Sequence, residues 1–205
     1  MRVVMVCGSL QKVSANRSAL EEAKRTLIKR ADVHVYEELG LLPPFNPDVL
    51  SGPVVEVWRE ALHVADAVVF ASPEYAGSIA GTLKNALDWI VGSGELYGTP
   101  VAVLSAGTSG GEYARRALIQ TLTWQGAHVV AELGIAAPRT KVDALGVFVD
   151  VPTVDAIAVL ADMLCDAVAM PNEMRLRLVT SIVEAAGVDL AHIAPMPERP
   201  ETART

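Results

Sequence analysis

The chain has 205 residues, 51% of them hydrophobic and 20% charged, and its formal net charge is −7. That length is enough for one α/β domain with a full core and is too short for two typical domains. The acidic balance argues against a nucleic-acid footprint and suits solubility.

The predicted elements alternate between strand and helix along the chain. Val3–Cys7 is a short continuous apolar run, followed by Gly8-Ser9. It is too short for a signal-peptide core, and no stretch is long or clean enough to span a bilayer, so a cytoplasmic protein is expected. From Asn16 the pattern turns helical, with Leu20, Ala23 and Leu27 on one face. Glu21 and Glu22 sit near its start and Lys29 and Arg30 at its end, which suits the helix dipole. Val33–Tyr36 alternates as a second strand, and the three prolines of Leu41–Asp48 mark a loop. Pro53 opens a second helix, in which Val54, Val57, Trp58, Ala61, Leu62 and Ala65 follow the 3.6-residue period.

Ala67–Ala71 is a third, fully apolar strand. Gly81–Val91 reads as a helix with Leu83, Ala86, Leu87 and Ile90 inward, and Val101–Leu104 as a fourth strand. Glu112–Gln125 is a helix, Val129–Leu133 begins a fifth strand, and Val154–Val168 is a further amphipathic helix. After Pro171 another helical segment places Leu178, Val179, Ile182, Val183 and Ala186 on one face. The tail from Pro195 is proline-rich and polar, and is expected to be poorly ordered or docked on a partner. The expected division is therefore 1–170 as the α/β domain and 171–205 as a helical extension and tail.

Five apolar strands joined by helices imply a parallel sheet covered on both faces. In such sheets ligands bind outside the carboxyl ends of the strands, which directs attention to the residues after strands one, three and four. The first of these loops, Gly8 to Arg17, is small and polar. Backbone amides at a helix N-terminus, with Ser and Asn donors and Lys12 or Arg17 nearby, suit a phosphate dianion. The same residues also suit a plain loop with Ser14 or Asn16 as N-cap. The ending of a Walker loop and the glycines of a dinucleotide fingerprint are both absent. After strand three comes Ser72-Pro73-Glu74-Tyr75-Ala76-Gly77, able to lay backbone along a flat ligand. Lys84, Asn85 and Asp88 beyond it read as a solvated helix face. After strand four comes Ser105-Ala106-Gly107-Thr108-Ser109-Gly110-Gly111, whose glycines permit close approach of backbone to a ligand. Cys7 and Cys165 read as reduced core residues, and no metal cluster is expected.

The run SPEYAGSIAGTLKNALDW resembles the signature of the NADPH-dependent FMN reductase family, which includes chromate, azo-dye and quinone reductases. GSLQKVSAN is similar to that family's first loop, and the glycine-rich loop follows in the same order; the resemblance covers roughly residues 1–137. It implies a flavodoxin-like three-layer sandwich with strand order 2-1-3-4-5, and FMN as cofactor. Ser9, Ser14, Asn16 and Arg17 would hold the FMN phosphate. Pro73, Glu74, Tyr75 and Ala76 would line the isoalloxazine, and Ser105, Gly107 and Gly110 would approach its pyrimidine side. Gln11 stands in this loop where the family has an arginine, so Arg17 or Lys12 compensates or affinity is lower. Ala76 stands where asparagine is frequent.

The implied activity passes hydride from NADPH or NADH to FMN and then to a small acceptor such as a quinone, free flavin, azo compound or chromate. No residue is then assigned as catalytic acid or base, because the flavin carries the chemistry. The resemblance also implies a homodimer or homotetramer that completes its pocket across the subunit interface. A flavodoxin-type electron carrier and a non-catalytic FMN-binding regulatory module are the alternatives. Arg115 and Arg116 are the candidates for a 2′-phosphate contact.

Overall fold

The structure is a computed structural model and describes residues 1–193; the tail from Pro195 lies outside the described residues. The chain runs β1 (Arg2–Cys7), α1 (Ala15–Leu27), β2 (Asp32–Tyr36), α2 (Pro53–His63), β3 (Ala67–Ala71), the short β4 (Glu74–Tyr75) and β5 (Ser78–Ile79), α3 (Gly81–Asp88), β6 (Pro100–Gly107), α4 (Glu112–Trp124), β7 (His128–Ala136), α5 (Val151–Ala169) and α6 (Asn172–Ala185). Five strands form one sheet in the order β2-β1-β3-β6-β7, with every neighbouring pair parallel. This is the expected 2-1-3-4-5 order; the small β4–β5 hairpin shifts the numbering of the last two strands.

The central strands are apolar on both faces because both faces are covered. Val3–Val6, Ala67–Ala71 and Val101–Leu104 are all buried. Helices α1 and α5 pack together on one side. On the other side Trp58 of α2 donates its indole N–H to Ala86 O of α3 at 2.8 Å, and Gln125, just past α4, donates to Leu87 O at 3.1 Å. Helix α6 lies against the edge strand β7 and against α4, with Val179 and Val183 in the common core.

Two expectations about element limits and one about a buried face need correction. The fourth strand reaches Gly107 rather than stopping at Leu104, because β6 and β7 stay paired as far as Gly107 and Ala136. Ser105 and Ala106 are thus strand residues. The helix over 81–91 ends at Asp88: Ile90 and Val91 bond three residues back instead of four, tightening the chain into turns. In α2 the buried stripe runs through Val55, Trp58 and Leu62, and Val57 is 50% exposed. Trp58 in this stripe seats against Tyr36 with ring centroids 4.8 Å apart.

Candidate functional site

At the carboxyl edge of the sheet the ends of β1, β3 and β6 lie side by side, and side chains pin their three loops together. Thr82 at the start of α3 donates to Gly8 O at 2.9 Å, tying the first loop to the second. Asn16 in the first turn of α1 reaches the end of β6. Its amide nitrogen donates to Ala106 O at 3.0 Å and its amide oxygen accepts from Ala106 N at 2.9 Å. Glu74 accepts from Tyr113 N at 2.9 Å and Ala114 N at 3.2 Å, capping α4 from the hairpin. These are the amides that an N-cap side chain normally satisfies, and the carboxylate also faces the positive end of the helix. The residue in the N-cap position, Gly111, has φ 63° and makes no side-chain cap. A Cβ there would collide with the Ser105 side chain, so glycine is required.

The stretch SPEYAGSIAGTLKNALDW is therefore largely a clamp. Ser72 Oγ accepts from Ala80 N at 3.1 Å and donates to Pro73 O at 3.0 Å, closing the base of the hairpin. Ala76 and Gly77 form its tip with φ 50° and 71°, the left-handed pair of a tight hairpin turn. Asn85, read as part of a solvated face, is instead a fastener: its oxygen accepts from Phe45 N at 2.7 Å and its nitrogen donates to Pro43 O at 2.9 Å. Trp89 donates to the same carbonyl at 2.8 Å and meets Phe45 edge-on. Proline-rich residues 43–47 could not show this from sequence, since their partner lies about forty positions away. Lys84 and Asp88 are an exposed ion pair, as a solvated face would have.

Around the first loop, Ser9 and Ser14 are buried and Gln11 and Lys12 are exposed. Ser14 is the N-cap of the 13-residue α1 but makes no side-chain cap bond. The first amides of a helix have no intrahelical partner. An uncommitted hydroxyl thus stands beside unpaired N–H groups at a positive helix end, a donor set that fits a phosphate. Asn16 is in the site, but both ends of its amide are spent on Ala106. Arg17 forms two bonds to Glu37, at 2.8 and 2.9 Å, and this pairing holds its guanidinium charged. Glu37 was not anticipated: nothing in its sequence position marks it.

In the second loop Tyr75 is 54% exposed on the hairpin. In the third, Gly107 is half-buried and Gly110 buried, while Thr108 and Ser109 are exposed at the tip. Ser105 is fully buried beneath Gly111 with its hydroxyl unpartnered. Arg115 turns inward to Gly110 O and to Glu132 Oε2 at 3.0 Å, with Gly134 leaving room for its guanidinium. Arg116 donates to Gly187 O at 3.2 Å. Burial pushes the Cys7 thiol above its ordinary range, as it does Cys165. Among the described residues no group of three or more His, Cys, Asp or Glu could hold a metal, and no helix is long and apolar enough to cross a membrane.

Comparison with known proteins finds relatives of one family and fold. A model of the NADPH-dependent FMN reductase family matches residues 1–141. An NAD(P)H-dependent FMN reductase of Pseudomonas aeruginosa is 36% identical over 159 residues, covering 73% of this chain and 85% of the relative. An NADPH:quinone oxidoreductase of Arabidopsis thaliana is 33% identical over 164 residues, covering 73% and 83%. Among solved structures, a flavoenzyme NAD(P)H:(acceptor) oxidoreductase of Paracoccus denitrificans superposes with a TM-score of 0.71 at 26% identity, covering 82% of this chain and 97% of its own.

Proposed function

This chain belongs to the NADPH-dependent FMN reductase family, and we propose that within it the protein reduces small, flat acceptors of the quinone type. The chain is an oxidoreductase of NAD(P)H-dependent, FMN-binding kind. The observation that supports the flavin-site reading is the joining of the three strand-end loops by Thr82, Asn16 and Glu74, which draws them together at one edge of the sheet.

In this reading Ser9, Ser14 and the first amides of α1 hold the FMN phosphate, with Arg17 shared between the phosphate and Glu37. Pro73 to Ala76 lie along the ring through their backbone, and Gly107 and Gly110 meet its pyrimidine side, with Ser105 supporting that loop from beneath. When bound, FMN supplies the hydride and electron chemistry. The protein's part is to bind, orient and shield. No acid or base is required of it, and the four histidines stand apart from the three loops. His34 is within β2 and His63 ends α2; His128 begins β7, and His192 stacks on Trp124. The names of the quinone-reducing relatives favour a quinone over an azo compound or chromate.

The test is absorbance of the purified protein with FMN, before and after anaerobic NADPH, followed by a quinone. Bleaching of the flavin band by NADPH and its return with quinone are the expected results. A protein that takes up no FMN overturns the reading. Bound FMN that NADPH leaves unbleached would make the protein an electron carrier or a regulatory module instead. We further propose a homodimer or homotetramer, motivated by exposed Tyr75 and Tyr113 at the site, which Glu74 holds on adjoining elements. A monomeric mass by light scattering would refute it.

A further inference from the structure

A cavity of about 700 Å³ opens between the start of α1 and the segment 139–147. Its size falls within the range of about 300–1,000 Å³ common for small-molecule sites. Ser14 and Arg17 line it, so it is continuous with the phosphate cradle described above. Among the described residues no member of the hairpin or of the 107–111 loop lines it. It therefore adjoins the phosphate end of the flavin site and not the ring end.

Resting on the reading that the FMN phosphate sits at the start of α1, we propose that this cavity is an adenylate subsite, which receives the AMP end of flavin adenine dinucleotide while the flavin end occupies the FMN site. Flavin adenine dinucleotide is FMN joined through its phosphate to AMP, so whatever the phosphate carries must enter the space next to it. The nicotinamide dinucleotide, by contrast, has to meet the ring.

The lining has the chemistry such a group needs. Lys12 and Arg139 both line the cavity, and among the described residues neither has an ion-pair partner. They stand ready for a second phosphate, which a guanidinium grips in bidentate fashion. The carboxylates on the same wall are engaged or answered. Glu22 pairs with Arg25 at 2.7 Å, and Asp143 accepts from Leu145 N and Val147 N, both at 2.9 Å. Glu21 lies near Arg17 and favours its charge. The Asp143 turn presents Leu145, 88% exposed, across from α1, and Val13 on the first loop is 84% exposed. Both line the cavity, giving apolar surface for a base at a place where an isolated protein would otherwise leave two aliphatic side chains in water.

Flavin-free protein titrated separately with FMN and with flavin adenine dinucleotide, followed by flavin fluorescence, tests the proposal, with Arg139→Ala as the variant. The dinucleotide is expected to bind at least as tightly as FMN. Loss of one charge-assisted contact in Arg139→Ala should weaken the dinucleotide about tenfold or more while FMN affinity stays within about twofold, which also reports that the variant is folded. Much weaker dinucleotide than FMN binding to the unsubstituted protein overturns the proposal and leaves the FMN reading standing. Equal losses for both ligands, or no loss for either, also overturn it. So does a rise confined to the NADPH KM, which would assign the cavity to the reductant's adenylate. Failure of both flavins to bind sinks the phosphate reading itself.

Discussion

Two neighbouring polar residues at the start of α1 have separable tasks. Asn16 is buried and spends its amide on both backbone groups of Ala106, whereas Ser14 makes no cap bond. Asn16→Ala should therefore cost about 1–3 kcal/mol of stability, measured by urea unfolding, because it strips two buried bonds. Ser14→Ala should leave unfolding nearly unchanged and weaken FMN binding by about tenfold or more, the value of a contact to a charged group. A Ser14→Ala protein that binds FMN normally would move the phosphate elsewhere. At the hairpin tip Ala76 holds φ 50°, a conformation that costs a residue with a Cβ and that asparagine tolerates. Ala76→Asn should raise stability by about 0.5–1 kcal/mol, since Asn-Gly is a favoured pair for this turn. A lowered melting temperature would show that the turn is held by other contacts.

The elements around the site are placed by side chains from other elements. Glu74 is the plainest instance: a carboxylate on β4 caps α4, whose own N-cap is a glycine. Glu74→Ala should cost about 0.5–2 kcal/mol, the range for a lost N-cap. It should also weaken FMN binding, because the hairpin loses its link to the third loop. Glu74→Gln keeps an acceptor and should recover part of both losses. Equal stability for all three proteins would mean that the cap carries no weight. The limits of β6 and α3 belong to this scale too. Local pattern stopped the strand at Leu104 because Ser105 and Gly107 are poor strand formers. Pairing with β7 keeps them extended, since a ladder neighbour outweighs propensity.

For the whole molecule, the sheet's two ends have different roles. The carboxyl end gathers the loops, while the opposite end contains a buried histidine. His128 begins β7, and burial, with a smaller effect from Arg175 on α6, lowers its pKa from the ordinary 6.5 to about 4. Burial likewise lowers that of Arg175. The folded protein thus prefers neutral His128. Between pH 6.5 and about 4 the unfolded chain binds more protons, so stability present above pH 6.5 is lost as pH falls through this window. The loss is at most about 3 kcal/mol. Chemical denaturation across this range should show the decline, and His128→Gln should flatten it. An unchanged slope in the variant would assign the acid sensitivity to other groups. Because Val179 and Val183 of α6 share the common core, loosening of α6 would be felt by the whole domain.

The sequence alone determined the alternation of strands and helices, the strand order implied by the family resemblance, and the three loops at the carboxyl ends of the strands. Apolar runs and glycine-rich strand ends are local signals, and one chain displays them without its partners. Only the tertiary structure decided what the polar residues of those loops do. Asn16 and Glu74 are committed to Ala106 and α4, Asn85 to residues 43 and 45, and Arg17 to Glu37. Each of these bonds joins positions between 20 and 90 residues apart. Residue type can show that a side chain is able to make a hydrogen bond; which distant backbone or carboxylate it meets depends on how the strands stack.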